Sequence, residues 1–180
     1  HVGHGPCDLQ VTPDGNHVVV TNEESHNVAI LDAITGEPRH VIPTPEGPLG
    51  LVVDPRGAFV LVACLISNHV YAIDARSWRV AWKLPVGSCH VGICLAYQGR
   101  VALVTNADQD HISVLDLKRR KEVSRIRVRA NPAMVHMLPC DSLAYVTDRG
   151  ADSVSVVDVR ACKTLRTIPV GSSPLGLCVG

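Results

Sequence analysis

The sequence predicts an all-β protein, and three observations predict it. One line is written four times: "VVVTNEESHNVAILD" from Val18, "VLVACLISNHVYAID" from Val60, "ALVTNADQDHISVLD" from Ala102 and "AYVTDRGADSVSVVD" from Ala144. Its last residue falls at Asp32, Asp74, Asp116 and Asp158, 42 residues apart each time, with no insertion between copies. Secondly, 46% of the chain is apolar but only 3% aromatic, the weight lying on Val, Leu, Ile and Ala; β-branched chains fit a pleated, buried surface. Thirdly, no segment keeps a helical period of 3.6 over ten or more residues.

The elements of the first copy follow in order. "PCDLQVT" is a short apolar strand, A, and "PDG" turns the chain, with Pro and Gly supplying the backbone angles. "HVVVTN" is strand B, and "EESH" is a loop. "NVAILD" alternates and is β-branched: strand C. "AITGEP" is a second turn, and "RHVIPT" is strand D. The repeated Asp ends strand C, where a carboxylate accepts backbone N–H groups across a turn. Asp32, Asp74, Asp116 and Asp158 are therefore expected as turn caps, since a catalytic carboxylate has no reason to recur four times.

One four-stranded unit cannot cover both faces of its sheet, so its neighbours must. Four-stranded units at a period of about 40–50 residues, packed radially, make a β-propeller. The units, or blades, are expected at 5–46, 47–88, 89–130 and 131–172, with the start of a further blade at 173–180. The opening "HVGHG" matches the end of a strand D, and "PLGLCVG" the start of a fifth strand A. The chain is thus expected to be part of a propeller of about seven or eight blades, its bare blade faces covered by further blades or a second copy.

Here the sequence resembles a known family. "VVTN" at Val19, "LVTN" at Leu103 and "YVTD" at Tyr145 are similar to the signature of the YVTN-repeat β-propellers, as are "PDG" at Pro13, "TG" at Thr35 and "IPVG" at Ile168. The resemblance covers essentially the whole chain and implies a fold more than an activity. Relatives with this repeat include surface-layer and periplasmic proteins, so it implies the periplasm, the cell envelope or secretion. The propellers of haem-d1 nitrite reductases, lactonases and quinoprotein amine dehydrogenases are more distant cousins. Blade 2 departs with "LVAC" and blade 3 with "YQG" for "PDG". The family often places His after the Pro that opens strand A; here those places hold Cys7, Leu49, Ala133 and Leu175, and His90 replaces the Pro.

Bulk properties narrow the function classes. Lys plus Arg equals Asp plus Glu at 17 each, which argues against a general nucleic-acid or membrane binder. No apolar run reaches the roughly 18 residues of a membrane helix. The chain begins with His and shows no signal peptide, so its start reads as a processed terminus or a cut. Seven Cys without paired C-x-x-C spacing read as small buried residues, not as a zinc ribbon or disulfide framework.

Propeller topology assigns each loop to a face. The D–A and B–C loops share one, called top here; the A–B and C–D turns share the other. His1, His4, His26, His69, His90 and His111 fall on top, with Cys64 and Cys89. The top loops also carry Glu23, Glu24, Glu46, Asp108, Asp110, Asp148 and Asp152 against Arg129 and Arg149, a net −5. The bottom turns, with "KRRK" at Lys118–Lys121, come to net +3. The top face is the expected ligand or partner surface, with His4, His26, His69, Cys89, His90, His111, Asp110 and Asp152 as candidate contacts.

No cofactor is predicted. The candidates for a bound metal are His1, His4 and Cys7, which have ligand-capable spacing, and His90; imidazole and thiolate suit copper or zinc. His136, in mid-strand A, is expected as a hydrogen-bonded residue between blades, and Trp78 and Trp82 on the outer rim. The expected function is a non-enzymatic binding scaffold presenting the top face to a protein or small ligand. The alternative is a propeller enzyme, lactonase-like or of the haem or quinone oxidoreductase type, with residues converging at the channel mouth. A nucleic-acid binder has only the basic turn behind it, and six aromatics make a poor stacking platform.

Overall fold

A computed structural model describes residues 2–45 and 47–178; the side chain of His90 lies outside the description, as do His1 and Glu46. Blade 1 is β1 (Pro6–Val11), β2 (His17–Asn22), β3 (Asn27–Asp32) and β4 (Pro38–Pro43). Blade 2 is β5 (Pro48–Val53), β6 (Phe59–Cys64), β7 (His69–Asp74) and β8 (Arg79–Pro85). Blade 3 is β9 (His90–Ala96), β10 (Val101–Asn106), β11 (His111–Asp116) and β12 (Lys121–Arg127). Blade 4 is β13 (Pro132–Met137), β14 (Leu143–Asp148), β15 (Ser153–Asp158) and β16 (Lys163–Pro169). Each blade is an antiparallel sheet whose strand order is its chain order. The four A strands β1, β5, β9 and β13 pack side by side in sequence, so the blades follow one another around an axis. This is a β-propeller arc with strand A innermost.

The strands form as they do because of where each lies in the blade. β6 and β10 bury nearly every residue, since blades cover both their faces. The outer strand β12 buries only Ile126, and its sequence is correspondingly polar. Three apolar cores result, each lying between two blades. Val19, Val28, Ile30 and Ile42 of blade 1 meet Leu51, Val60, Val62 and Ile73 of blade 2. Leu61, Val70 and Leu84 meet Ile93, Val104 and Leu115 of blade 3. Leu103, Ile112 and Ile126 meet Val135, Val146 and Val157 of blade 4. Trp78 departs from the rim position expected of it. It is buried in the first core, with its ring edge-on to His17 of blade 1 at 5.3 Å.

The Thr of the repeated line has a structural cause. Every A–B ladder breaks register near the top, between Pro6 and Asp8, Pro48 and Leu51, Val104 and Asn106, and Pro132 and Val135. A bulge leaves a residue of the strand outside the ladder. The Thr hydroxyl takes up the freed N–H: Thr21 Oγ1 accepts from Asp8 N at 3.1 Å, Thr105 from Gly92 N at 2.8 Å, Thr147 from Met134 N at 2.9 Å. The same hydroxyl donates forward to the next strand A, Thr21 to Leu49 O at 2.6 Å and Thr105 to Ala133 O at 2.8 Å. Thr147 donates to Leu175 O at 3.2 Å, so the segment after blade 4 lies where a further strand A would begin. In blades 1, 3 and 4 one hydroxyl thus closes a bulge in its own blade and tethers the next, while blade 2 carries Ala63 at that position.

Candidate functional site

The top rim is built from two connections per blade, and the same bonds recur in each. The B–C loop of one blade and the D–A connection to the next are locked by backbone pairs: Thr44 N to His26 O, Val86 N to Asn68 O, Val128 N to Asp110 O and Val170 N to Asp152 O, all near 3.0 Å. A second set runs from Glu23 N to Gly5 O, Leu65 N to Gly47 O, Ala107 N to Cys89 O and Arg149 N to Asn131 O. His26, Asp110 and Asp152 hold φ of 50°, 52° and 49°, a left-handed conformation uncommon outside Gly, Asn and Asp. Their side chains reach the neighbouring connection. Asp110 accepts from Asn131 N and Asp152 from Ser173 N, both at 2.9 Å, and His26 Nδ1 lies 3.4 Å from Gly47 N. Three of the candidate contacts therefore do the same inter-blade job, with their outer edges still toward solvent.

The other candidates are spread around the rim. His4 is exposed, its N–H bonded to Ser25 Oγ at 2.7 Å. His69 is half-buried, its ring 6.1 Å from that of Tyr71. His111 is buried, with Nδ1 3.2 Å from Gln109 O and no partner for Nε2 among the described residues. The thiol of Cys89 is raised by burial and by Asp108 beside it, which keeps it protonated and a poor nucleophile. Cys7 is likewise raised, by burial and Glu23; its Sγ lies 3.5 Å from Glu23 Oε2. Among the described residues no three His, Cys, Asp or Glu are arranged to hold a metal. Of the metal candidates His1 is outside the description, and His90 enters it through its backbone pairing with Asn106.

On the bottom face, Asp32 Oδ1 accepts from Ile34 N at 3.0 Å and Thr35 N at 2.9 Å, while Oδ2 meets Arg39 at 2.8 Å. The Arg39 guanidinium and these N–H groups hold its carboxyl well below the usual carboxylate range. Asp74 accepts from Ser77 N and Arg76 N, Asp116 from Arg119 N, and Asp158 from Ala161 N.

Sequence reasoning passed over the axial groove. It holds about 520 Å³ and is lined by all four A strands, with Asp8, Gln10, Cys94, Met134 and His136 among its walls. Asp8 Oδ2 accepts from Leu51 N, and Gln10 Oε1 from Val53 N, both at 2.9 Å; these side chains stitch strand A of blade 1 to that of blade 2. Burial raises the Asp8 carboxyl, with the two N–H bonds and His136 opposing. Burial also pushes the Cys94 thiol up to about 12. His136 is a correction: it is exposed and faces this groove instead of bonding between blades. A signal was present in the repeat, because Asp8 stands where blades 2 and 3 have Gly50 and Gly92.

No family model matches the sequence, and no curated protein does. Solved structures do match in shape. Hydrazine synthase of Kuenenia stuttgartiensis superposes with a TM-score of 0.85 at 24% identity, over 93% of this chain and 49% of that one. A functionally unknown protein from Desulfotomaculum acetoxidans DSM 771 gives 0.79 at 17% identity, over 94% and 57%. The chain thus spans about half the length of each, and at these identities the likeness concerns the fold. Among the described residues no helix is long and apolar enough to cross a membrane.

Proposed function

We propose that this chain is a non-enzymatic binding scaffold of the cell envelope, of the YVTN-repeat type, engaging a protein or small ligand through its top rim. What supports the reading is the rim's construction: backbone locks identical in every blade, carrying tips that differ from blade to blade. A rigid frame with variable tips binds without losing much freedom on association. Its exposed tips include the acids Glu24, Asp108 and Asp152 and the apolar Ile66, set against the exposed bases Arg129 and Arg149 beside blade 4, and the acidic stretch of the rim favours a basic partner with an apolar contact. Further blades or a second copy complete the ring beside blade 1.

The test is titration of a Lys-rich peptide into the chain at low and raised salt. Binding is expected to weaken about tenfold in the Glu24→Lys/Asp108→Lys variant and to fall with salt. Binding indifferent to both changes sinks the proposal. So does turnover of a lactone, or absorbance from a bound haem or quinone, either of which points to the enzyme reading.

A further inference from the structure

A groove of about 890 Å³ opens on the bottom face, at the seam of blades 2 and 3. Three turns build it. The A–B turn of blade 2 contributes Arg56, the A–B turn of blade 3 contributes Gly99 and Arg100, and the C–D turn of blade 3 contributes Asp116 and Lys118. Phe59 forms an apolar wall, backed by Trp82 at 6.4 Å between ring centroids.

The cations here are exposed, and one of them is tethered. One terminal nitrogen of Arg56 lies 3.4 Å from Oδ1 of the fully buried Asp54, while the Arg56 side chain remains 68% exposed. A guanidinium has five donors in a rigid fork, so this one contact engages a single terminal nitrogen and leaves the other donors of Arg56 for a ligand. Gly99, at φ +78°, presses onto that pair. A Cβ there would stand 2.6 Å from Asp54 Oδ1 and 3.7 Å from the Arg56 nitrogen. The glycine in "YQG" is therefore what lets the turn of blade 3 close on the cation of blade 2. Among the described residues the one acid in the wall is already engaged: Asp116 accepts from Arg119 N at 2.8 Å and lies 3.7 Å from Arg119 Nε. Among the described residues Arg100 and Lys118 have no carboxylate within ion-pair distance.

We propose that this groove binds a small phosphate ester with an apolar body. A carboxylate is satisfied by one guanidinium fork, whereas a tetrahedral dianion accepts from several directions. Cations supplied by three separate turns match the second. The Phe59 wall receives the apolar part, and the groove lies on the face opposite the proposed partner rim, so the two readings stand or fall separately.

Calorimetric titration of the full chain with phenyl phosphate tests it. Saturable binding is expected, weakened about tenfold by Arg100→Gln/Lys118→Gln and several-fold by Gly99→Ala, with benzoate weaker than phenyl phosphate and phenol silent. Amide shift changes in the unmodified chain should centre on Arg56, Gly99 and Lys118, a readout that needs no variant to fold. Absent binding, binding unchanged in the double variant, equal binding of benzoate, or shifts elsewhere each overturn the proposal. Binding of a short DNA duplex without phenyl phosphate binding overturns it too, in favour of a polyanion surface.

Discussion

Leu9 and Leu51 are the same residue at the same point of the repeat, yet Leu9 is 61% exposed and Leu51 is 1% exposed. Leu51 is covered by Val19, Val28 and Ile30 of the blade before it. Leu9 has no blade before it among the described residues. The outer end of that face behaves alike. Leu9, Val20, Ala29 and Val41 pair across blade 1 in one row; the inner two are buried, while Val41 at the outer end is 58% exposed. The difference shows that the innermost and outermost strands of a blade have little core of their own. Their apolar side chains become a core when the next blade closes over them, and so one sequence line gives two environments.

The largest effect should come from that pair of leucines. Leu51→Ala is expected to cost about 2–5 kcal/mol, as buried leucine truncations do. Leu9→Ala should stay within about 0.5 kcal/mol, as at an exposed site. Urea denaturation of both variants measures the gap. Equal costs would break the comparison. A Leu9→Ala cost that grows with protein concentration would sharpen it, because it would reveal a second copy over the bare face.

The seams between blades give a second contrast. At the seam of blades 3 and 4, Thr105 bonds both Gly92 N and Ala133 O. At the seam of blades 2 and 3 the corresponding residue is Ala63, fully buried. Thr105→Val keeps the volume and removes the hydroxyl, leaving a buried N–H and carbonyl without it. A loss of about 1–3 kcal/mol is expected, read as a lowered denaturation midpoint with unchanged slope. A neutral result would mean that apolar packing alone holds the seam.

Much of this was legible in the sequence for a physical reason. Strand, turn and repeat are local, so the 42-residue spacing of Asp32, Asp74, Asp116 and Asp158 and the Pro–Gly turns carried the blade layout directly. The rim was harder. His26, Asp110 and Asp152 are acceptors at one repeat position, and an acceptor serves a ligand or a backbone N–H equally well. Only the approach of the next blade's connection shows which group each one meets. The bottom groove was harder still. "YQG" was visible as a departure, but what Gly99 permits depends on Asp54 and Arg56 standing beside it, more than forty positions back along the chain.

The smallest expected effect, and the one that decides what Thr contributes, is Ala63→Thr. The two seams have the same gap. A Cβ on Gly50 would lie 2.5 Å from Val91 O, and a Cβ on Gly92 would lie 2.5 Å from Ala133 O. A hydroxyl at position 63 would therefore face the Gly50 N–H and the Val91 carbonyl as Thr105 faces its own pair. A gain of about 0.5–1.5 kcal/mol is expected from the added bonds, seen as a raised denaturation midpoint. The opposing term is overpacking: Ala63 sits in a filled core with Leu61, Val70 and Val104, and an extra methyl that cannot be housed costs about 1–3 kcal/mol. The sign of the shift thus separates the two views of the seam. A rise means the hydroxyl was missing from an otherwise identical joint; a fall means blade 2 replaced it with tighter apolar contact.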